Sequence, residues 1–325
     1  MKRLITLGLV FAIVTGAAFA TGGSQQGGAA ASYPSRPVQV IVPFGPGGGT
    51  DVLVRTFMKY IDLGGQPMVA VNIEGASGFV GTMDAANRPG DGYTILTAAA
   101  HDVLSYTFTG QTPRALYDEL IPVCIVASDY DMVSTNTQSG FKTVQEMVAF
   151  VKANPGQIRW GQTGTKTTTA VNTRWIAENL GIADMVTFVP YDGGAEARPA
   201  LLGNHVQALT GASGDIRSLI DSGDAIPLMV INDSRVRVMP NTPTTIESGC
   251  EATIFVARTI WAPKGTPPDT VRYLEAAFRK VSENPQYKAD IEALGIDVRF
   301  IDTPTTQRLV REWRDQLEPR FARLE

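Results

Sequence analysis

Short apolar runs alternate along this chain with segments in which apolar residues recur every three or four positions. The first run, residues 38–44, is rich in β-branched residues and predicts a strand covered on both faces, as in parallel sheets. Pro43 has no amide proton to donate, so strand pairing should end near it. After three glycines, residues 52–63 show helical spacing. The stretch therefore predicts a strand, a glycine turn and a helix.

The glycine turn is a candidate anion site. Gly47, Gly48 and Gly49 permit positive φ angles and close approach of a ligand to the backbone, and Thr50 is placed to cap the helix. Free amides and the dipole at a helix start attract anions. A dinucleotide fingerprint would need a further glycine at Thr50 or Val52, so the spacing excludes it. An anion site and a ligand-free structural turn both explain the pattern.

The alternation of strands and helices continues and then restarts near residue 129. Such alternation predicts an α/β fold with a largely parallel sheet. The further predicted strands are 69–71, 93–97, 120–127, 158–160, 186–191, 206–210 and 227–231, and the further predicted helices follow the glycine-spaced turn 72–81, the capping-box pattern Thr143-x-x-Glu146, the polar loop 161–169, residue 195, the turn 261–268 with Pro268 as a helix start, and Thr303.

The N-terminus reads as an export signal. Two basic residues precede an apolar run, and residues 18–20 have the small-x-small form of a signal-peptidase site. We expect residues 1–20 to be removed by cleavage after Ala20 and the mature protein to be periplasmic. Residues 21–32, rich in Gly, Gln, Ala and Ser, are expected to form a disordered lead.

Charge and cysteine content limit the partners, disulfides and metal sites that the chain can have. Cleavage would leave 26 basic residues beside 32 acidic ones, so the formal charge would change from −4 to −6. An acidic surface argues against nucleic acids and anionic membranes as partners. An exported protein could join Cys124 and Cys250 in a disulfide, but we expect two separate thiols, with Cys124 buried. No C-x-x-C pattern exists and only two histidines occur, so no metal site is expected.

Catalytic motifs are incomplete. The loop 163–167 resembles a phosphate loop, but Thr165 separates the glycine from the lysine. Two G-x-S-x sequences lack the final glycine of a nucleophile elbow. His101 and His205 are isolated in sequence, so a structural or solvated role explains each better than a catalytic triad. No catalytic residue and no cofactor are therefore expected.

An ordered set of motifs resembles the periplasmic solute-binding proteins of tripartite tricarboxylate transporters, the TctC or Bug family. The match runs through essentially all of the mature chain, and its strength lies in the order of the motifs. They are Tyr33-Pro34-x-Arg36-Pro37, Val42-Pro43-Phe44, Pro46-Gly47-Gly48-x-Thr50-Asp51 with Arg55, Asn72-x-x-Gly75-Ala76-x-Gly78 with Gly81, Asp91-Gly92-Tyr93-Thr94, Tyr117-Asp118, Pro122-Val123, Val189-Pro190-Tyr191-x-Gly193, Ala200-Leu201-Leu202-Gly203, Pro243-Thr244 and Ala262-Pro263-x-Gly265-Thr266-Pro267.

The resemblance implies a type II periplasmic-binding-protein fold, in which two α/β domains joined by a hinge close on a ligand cleft. We expect a discontinuous first domain, residues 33–128 and 255–325, and a second domain, residues 129–254. The implied function is a monomeric, non-catalytic receptor that delivers a small di- or tricarboxylate, or a related carboxylate, to a membrane permease. The alternative is an exported, esterase-like hydrolase that uses His101 or His205.

The resemblance also implies that backbone amides of loops 44–51 and 161–169 hold the carboxylate. This chain departs from the family where Lys166 replaces a glycine and Ala170 a histidine. Lys166 would either select a second carboxylate or be a solvated loop residue. We expect Asp51 to order the first helical turn. The residues expected at the site are Phe44, Gly47, Gly48, Gly49, Thr50, Asp51, Gly75, Ala76, Gly164, Thr165, Lys166, Thr167, Tyr191 and Asp192.

Overall fold

Two β-sheets organise the chain in a computed structural model, which describes residues 33–252 and 256–321. The predicted export signal, 1–20, and the predicted lead, 21–32, lie outside those ranges. Within them the strands are β1 (Val38–Val42), β2 (Met68–Asn72), β3 (Thr94–Ala99), β4 (Leu120–Asp129), β5 (Asp131–Asn136), β6 (Ile158–Thr163), β7 (Val186–Tyr191), β8 (Ala208–Ala212), β9 (Ala225–Val230), β10 (Val256–Pro263) and β11 (Asp297–Ile301).

Helices follow most of these strands and cover the sheets. No helix in the described part of the chain is both long enough and apolar enough to cross a bilayer. The helices are α1 (Gly49–Met58), α2 (Phe79–Ala86), α3 (Ala100–Phe108), α4 (Leu116–Glu119), α5 (Val144–Ala153), α6 (Thr168–Asn179), α7 (Gly194–Leu202), α8 (Ser213–Asp221), α9 (Pro268–Glu283), α10 (Pro285–Ala293) and α11 (Thr303–Phe321).

The first sheet has the strand order β11-β4-β10-β3-β1-β2. β1 runs parallel to β2 and β3, whereas β10 is antiparallel to β3 and β4, and β11 is antiparallel to β4. This sheet is therefore mixed, and the prediction of a largely parallel sheet is wrong. The strands that run backwards belong to the later part of the chain: β10 follows the strands of the second sheet and lies between β3 and β4.

The second sheet has the order β7-β6-β8-β5-β9, in which only β5 runs against its neighbours. β4 ends at Asp129 and β5 begins at Asp131, so the chain passes from one sheet to the other through Tyr130. We call the first sheet with α1–α4 and α9–α11 the first lobe, and the second sheet with α5–α8 the second lobe. Residue contacts join Pro34–Glu325 into one compact unit, so the two hinged domains stay a prediction.

Each face of the second sheet has its own apolar core, because successive side chains of a strand point to opposite faces. In β5, Met132 packs with Leu209 and Val230, whereas the next residue, Val133, packs with Trp160 on the other face. Burial on both faces explains why Met132 and Val133, neighbours in β5, are both fully buried. Cys124 and Cys250 are buried free thiols.

Most predicted strands and helices are present within a few residues of the predicted bounds, but three details differ. α1 begins at Gly49 with Gly48 as its N-cap, so the predicted cap at Thr50 is wrong. Of the three glycines in that turn, only Gly47 has a positive φ, of +77°. The predicted turn over 261–268 begins later, because residues 261–263 pair in β10.

Gly81 of α2 gives a test of how closely the backbone is packed there. Alanine normally stabilises a helix interior relative to glycine by roughly 1 kcal/mol. Here a Cβ at position 81 would lie 2.5 Å from the carbonyl oxygen of Ile73 and 2.8 Å from Cα of Pro43. We expect Gly81→Ala to lower the free energy of unfolding by about 1–3 kcal/mol in urea titration. Its exposed neighbour Val80 serves as a control, because Val80→Ala should change the free energy of unfolding little. A more stable Gly81→Ala protein would contradict the packing.

Candidate ligand-binding cleft

A cavity of about 40 Å³ lies between the two lobes, with room for on the order of three water molecules. Both lobes supply its walls, and the chain crosses between the sheets beside it. The lining residues are Phe44, Gly45, Gly48, Gly49, Thr50, Asp102, Asp131, Thr163, Thr167, Thr168, Thr169, Gly193, Gly194, Ala195, Ala212, Asp215, Val256 and Arg258.

A wider groove of about 660 Å³ lies on the surface of the first lobe, beside α9 and the start of α11. Its charged side chains, such as Arg272 and Glu275, are at least partly exposed. The charged side chains of the interlobe cavity, in contrast, are at least 91% buried. Buried charge is the stronger mark of a functional site, so the interlobe cavity is the candidate despite its smaller volume.

Five helices begin at the wall of this cavity: α1, α3, α6, α7 and α8. A residue from the first turn of each lines it, namely Gly49, Asp102, Thr168, Gly194 and Asp215. The first amides of a helix have no partner within the helix, and the helix dipole places partial positive charge there. The convergence of five helix starts gives the cavity a field that favours negative charge.

Two aspartates from opposite lobes already use part of that field. Asp215 of the second lobe accepts a hydrogen bond from the amide of Gly49, at the start of α1 in the first lobe. Asp102 of the first lobe accepts from the amide of Thr168, at the start of α6 in the second lobe, at 3.2 Å. Each lobe therefore places a carboxylate on a helix start of the other lobe.

Asp131, at the start of β5, is a third carboxylate on the cavity wall. Its oxygens accept hydrogen bonds from Thr169 Oγ1 at 3.1 Å and from Asn172 Nδ2 at 3.2 Å. Burial raises the pKa of Asp131 to about 7, against the opposing effect of these hydrogen bonds. Burial also raises the pKa values of Asp102 and Asp215. The ionised forms of these three aspartates are therefore destabilised by desolvation.

Arg258 of β10 is the buried cation of the site, with 4% of its surface exposed. Its Nη2 donates to Asp129 Oδ2 at 2.6 Å, and its Nη1 donates to Thr50 Oγ1 at 2.8 Å. Among the described residues, its Nε–H has no hydrogen-bond partner although the atom is buried. An unpaired buried donor of a charged group is costly, and Arg258 lines the cavity, so this N–H is a candidate donor to a bound acceptor.

The structure distributes the predicted site residues between the cavity wall and its surroundings. Those on the wall are Phe44, Gly48, Gly49, Thr50 and Thr167. Those outside the lining are Gly47, Asp51, Gly75, Ala76, Gly164, Thr165, Lys166, Tyr191 and Asp192.

Asp51 lies beneath the glycine loop and orders it. Its carboxylate accepts from the amide of Gly47 at 2.8 Å and from the side chains of Arg55 and Asn72. Burial raises the pKa of Asp51, but these hydrogen bonds outweigh burial, so the pKa lies below its ordinary value. The carbonyl of Gly47 accepts from Arg198 Nη2 at 2.8 Å. The Gly47 amide and carbonyl are therefore engaged within the protein in this conformation.

Other predicted residues outside the lining connect the two lobes. Lys166 Nζ donates to the carbonyl oxygen of Thr109 at 2.5 Å, and Asp192 accepts from the amide of Ser77 at 3.2 Å. Ser77 follows Ala76, and both have a positive φ, which is uncommon for residues other than glycine. In this conformation Lys166 holds the lobes together and does not reach the cavity wall.

Sequence reasoning missed the four charged residues Asp102, Asp131, Asp215 and Arg258. Asp102 and Asp215 each occupy the third position of a helix that follows an apolar strand, and this acidic first turn was their only local signal. Asp131 opens a largely polar strand, and Arg258 interrupts an apolar one. Their convergence depends on the topology, which no short motif encodes.

Neither histidine lines the cavity. His101 is buried with its ring centroid 4.5 Å from that of Trp313, and burial lowers its pKa to about 3. His205 is exposed at the surface. Among residues 33–252 and 256–321, no group of three or more His, Cys, Asp or Glu side chains is placed to hold a metal ion.

Comparison with known proteins agrees with this architecture. The family described as "Tripartite tricarboxylate transporter family receptor" matches residues 58–320. The chain is 32% identical over 286 residues to BugT of Bordetella pertussis, which covers 86% of either chain. This chain belongs to the tripartite tricarboxylate transporter receptor family. The predicted family and α/β fold class are thereby confirmed.

Solved structures of TctC and Bug proteins share the fold. The periplasmic binding protein BugD is similar with a TM-score of 0.83 and 26% identity, over 90% of this chain and 98% of that one. MatC from Rhodopseudomonas palustris, solved with bound malate, is similar with a TM-score of 0.81 and 22% identity, over 89% of this chain and 100% of that one. The chain thus has the fold of a TctC-type periplasmic solute-binding receptor.

The raised pKa of Asp131 predicts a pH dependence of stability. Between the unfolded value near 3.9 and the folded value of about 7, the folded protein retains a proton that the unfolded chain releases. The stability of the ligand-free protein should therefore fall as pH rises through this window. In Asp131→Asn the fall between pH 5 and pH 8 should be shallower, as measured by urea unfolding.

Asp221→Asn is the control, because Asp221 is an exposed residue of α8 outside the cavity. Its stability should follow the parent's pH profile. Asp102 and Asp215 act in the same direction as Asp131, so part of the slope should remain in Asp131→Asn. Parallel profiles for the parent and Asp131→Asn would contradict the assignment of a raised pKa to this residue.

Proposed function

We propose that this receptor captures a small carboxylate in the interlobe cleft and delivers it to the membrane permease of a tripartite tricarboxylate transporter. One observation carries the proposal: Arg258 lines a cavity where five helices begin, and its buried Nε–H has no partner among the described residues. A carboxylate would accept this hydrogen bond and gain from the field of the helix starts. The malate bound by MatC supports a carboxylate as the ligand class.

The role we propose is binding without chemical conversion. The cavity wall consists of Gly, Ala, Val, Phe, Thr, Asp and Arg side chains. The hydrolase alternative needs His101 or His205 beside the ligand, and both lie away from this wall. Membership of a receptor family also favours capture and release over turnover. We therefore propose a monomeric receptor with no cofactor and no catalytic residue.

Capture requires that the lobes part and close again. We propose residues 33–128 with 255–325 and residues 129–254 as the two moving domains, with the crossing at Tyr130 as one hinge strand. The hydrogen bonds between Gly49 and Asp215 and between Lys166 and Thr109 would break on opening. These contacts supply the energy that opposes opening, and a bound ligand would add its own contacts to both lobes.

Export is part of the proposed role, because a TctC-type receptor works outside the cytoplasm. The basic start, apolar run and small residues at 18 and 20 motivate it. Expressed with its own leader in a Gram-negative host, the protein should appear in the periplasmic fraction with Thr21 as its first residue. N-terminal sequencing checks this, and periplasmic protein that begins at Met1 would contradict it.

Thermal melting with a panel of acids tests ligand capture. A true ligand at a hundred times its dissociation constant stabilises the folded protein by about 2.7 kcal/mol. This corresponds to a rise in melting temperature on the order of 5 °C for a chain of this size. The panel should contain citrate, malate, succinate, glutarate, glutamate, alanine, 4-aminobutyrate and aromatic acids. At least one of them should give such a shift.

The Gly48→Val variant tests whether the melting shift comes from a ligand in the interlobe cavity. Gly48 has a φ of −74°, so valine fits the backbone, and a Cβ there would meet Gly45 O at 3.4 Å and Asp215 Oδ1 at 3.8 Å. The branched side chain would then fill part of the cavity, and the melting shift should disappear. Ala149→Val adds bulk at an exposed helix position and should keep it. A folded Gly48→Val protein with the full shift would place the ligand elsewhere.

A further inference from the structure

The cleft already contains protein carboxylates at positions that a ligand carboxylate would otherwise use. The amide of Gly49 donates to Asp215, and the amide and hydroxyl of Thr168 donate to Asp102. These amides belong to the two loops whose helix starts attract anions. A ligand with two or three carboxylates would therefore have to displace the side chain of Asp215 from the Gly49 amide and that of Asp102 from the Thr168 amide.

The three aspartates also set the charge that a ligand meets. Asp102, Asp131 and Asp215 line the cavity at no more than 9% exposure, and Asp129 lies behind Arg258. Among the residues that the structure describes, Arg258 is the only cation on the cavity wall. When they are ionised, these four carboxylates carry more charge than the single guanidinium of Arg258, so a second negative group on the ligand would meet unpaired like charge in a poorly solvated space.

The positions of Arg258 and of the aspartates determine which end of a ligand each would bind. Each Nη of Arg258 donates one hydrogen bond, to Thr50 or to Asp129, and the Nε–H, which has no partner among the described residues, is free to donate to one carboxylate oxygen. Hydrogen-bond acceptors dominate the rest of the charged wall when its aspartates are ionised, because a carboxylate accepts but does not donate. A protonated amine carries up to three donors and one positive charge, which matches Asp102, Asp131 and Asp215.

We propose that this cleft takes an aminocarboxylate, a small ligand with one carboxylate and one protonated amine, in preference to a di- or tricarboxylate. The carboxylate would pair with Arg258, and the amine with the aspartates. Asp215 is then the specificity-determining residue, because it fills the anion position of α1 and faces the amine. This inference rests on the proposed receptor function and narrows its ligand class.

Matched ligands test the preference by calorimetric titration at pH 7.5. Alanine, isobutyrate and methylmalonate differ only in an amine, a methyl or a carboxylate on one carbon. The same three groups end the chain in 4-aminobutyrate, pentanoate and glutarate. In at least one series the amine should bind at least tenfold more tightly than both partners. Equal or tighter binding by the diacids, or a response to malate or citrate with none to either amine, would overturn the inference.

Asp215→Asn separates a specificity role from a structural one. The substitution keeps the size of the side chain but removes its charge, so the amine should lose at least tenfold in affinity while the matching diacid gains. A structural defect would weaken both ligands alike, and that result would contradict the proposal. Asp221→Asn, on the exposed part of the same helix, should leave the ratio unchanged.

Two further outcomes keep the test decisive. If Asp215→Asn does not fold, Asp131→Asn replaces it, and the preference for the amine should again fall by about tenfold or more. If none of the acids stabilises or binds the parent protein, the proposed receptor function fails together with this inference. If only acids without an amine bind, the receptor function stands and the aminocarboxylate assignment fails.

Discussion

The ion pair between Arg258 and Asp129 is the interaction on which the site depends. Both side chains are buried, at 5% and 0% side-chain exposure, and their atoms approach to 2.6 Å. They come from β10 and β4, neighbouring strands of the first sheet, beside the point where the chain crosses to the second sheet. Removing one partner of such a pair typically costs about 3–5 kcal/mol, because the other charge is left buried alone.

The pair also sets the positions of two helix starts. Arg258 donates to Thr50 in α1, while the Asp129 carboxylate accepts from the hydroxyl of Ser213 and, at 3.3 Å, from the amide of Gly214 in α8. One ion pair therefore ties the crossing strands to a helix of each lobe. The cavity lies where these helices begin, as ligands of open α/β sheets lie outside the carboxyl ends of the strands.

The loops of the site could be predicted from the sequence, but its charged groups could not. The strand–glycine–helix pattern at 38–58 and the polar loop after β6 are local, because strand runs, glycines and helix spacing are read from neighbouring residues. Asp51 was visible for the same reason. Asp102, Asp215 and Arg258 reach the site through long-range pairings, which span 66 residues for Asp102 with Thr168 and 166 for Asp215 with Gly49. Strand β5 was not predicted, because its buried Asp, Ser, Thr and Asn residues are types that are typical of loops.

A crystal structure of the complex tests the central claim most directly. The acid that gives the largest melting shift should be used, with the parent protein. The account predicts its carboxylate between the two lobes, with an oxygen about 2.9 Å from Nε of Arg258. A ligand bound in the surface groove beside Val271 and Thr303, or anywhere that leaves the Arg258 Nε–H unengaged, would contradict it.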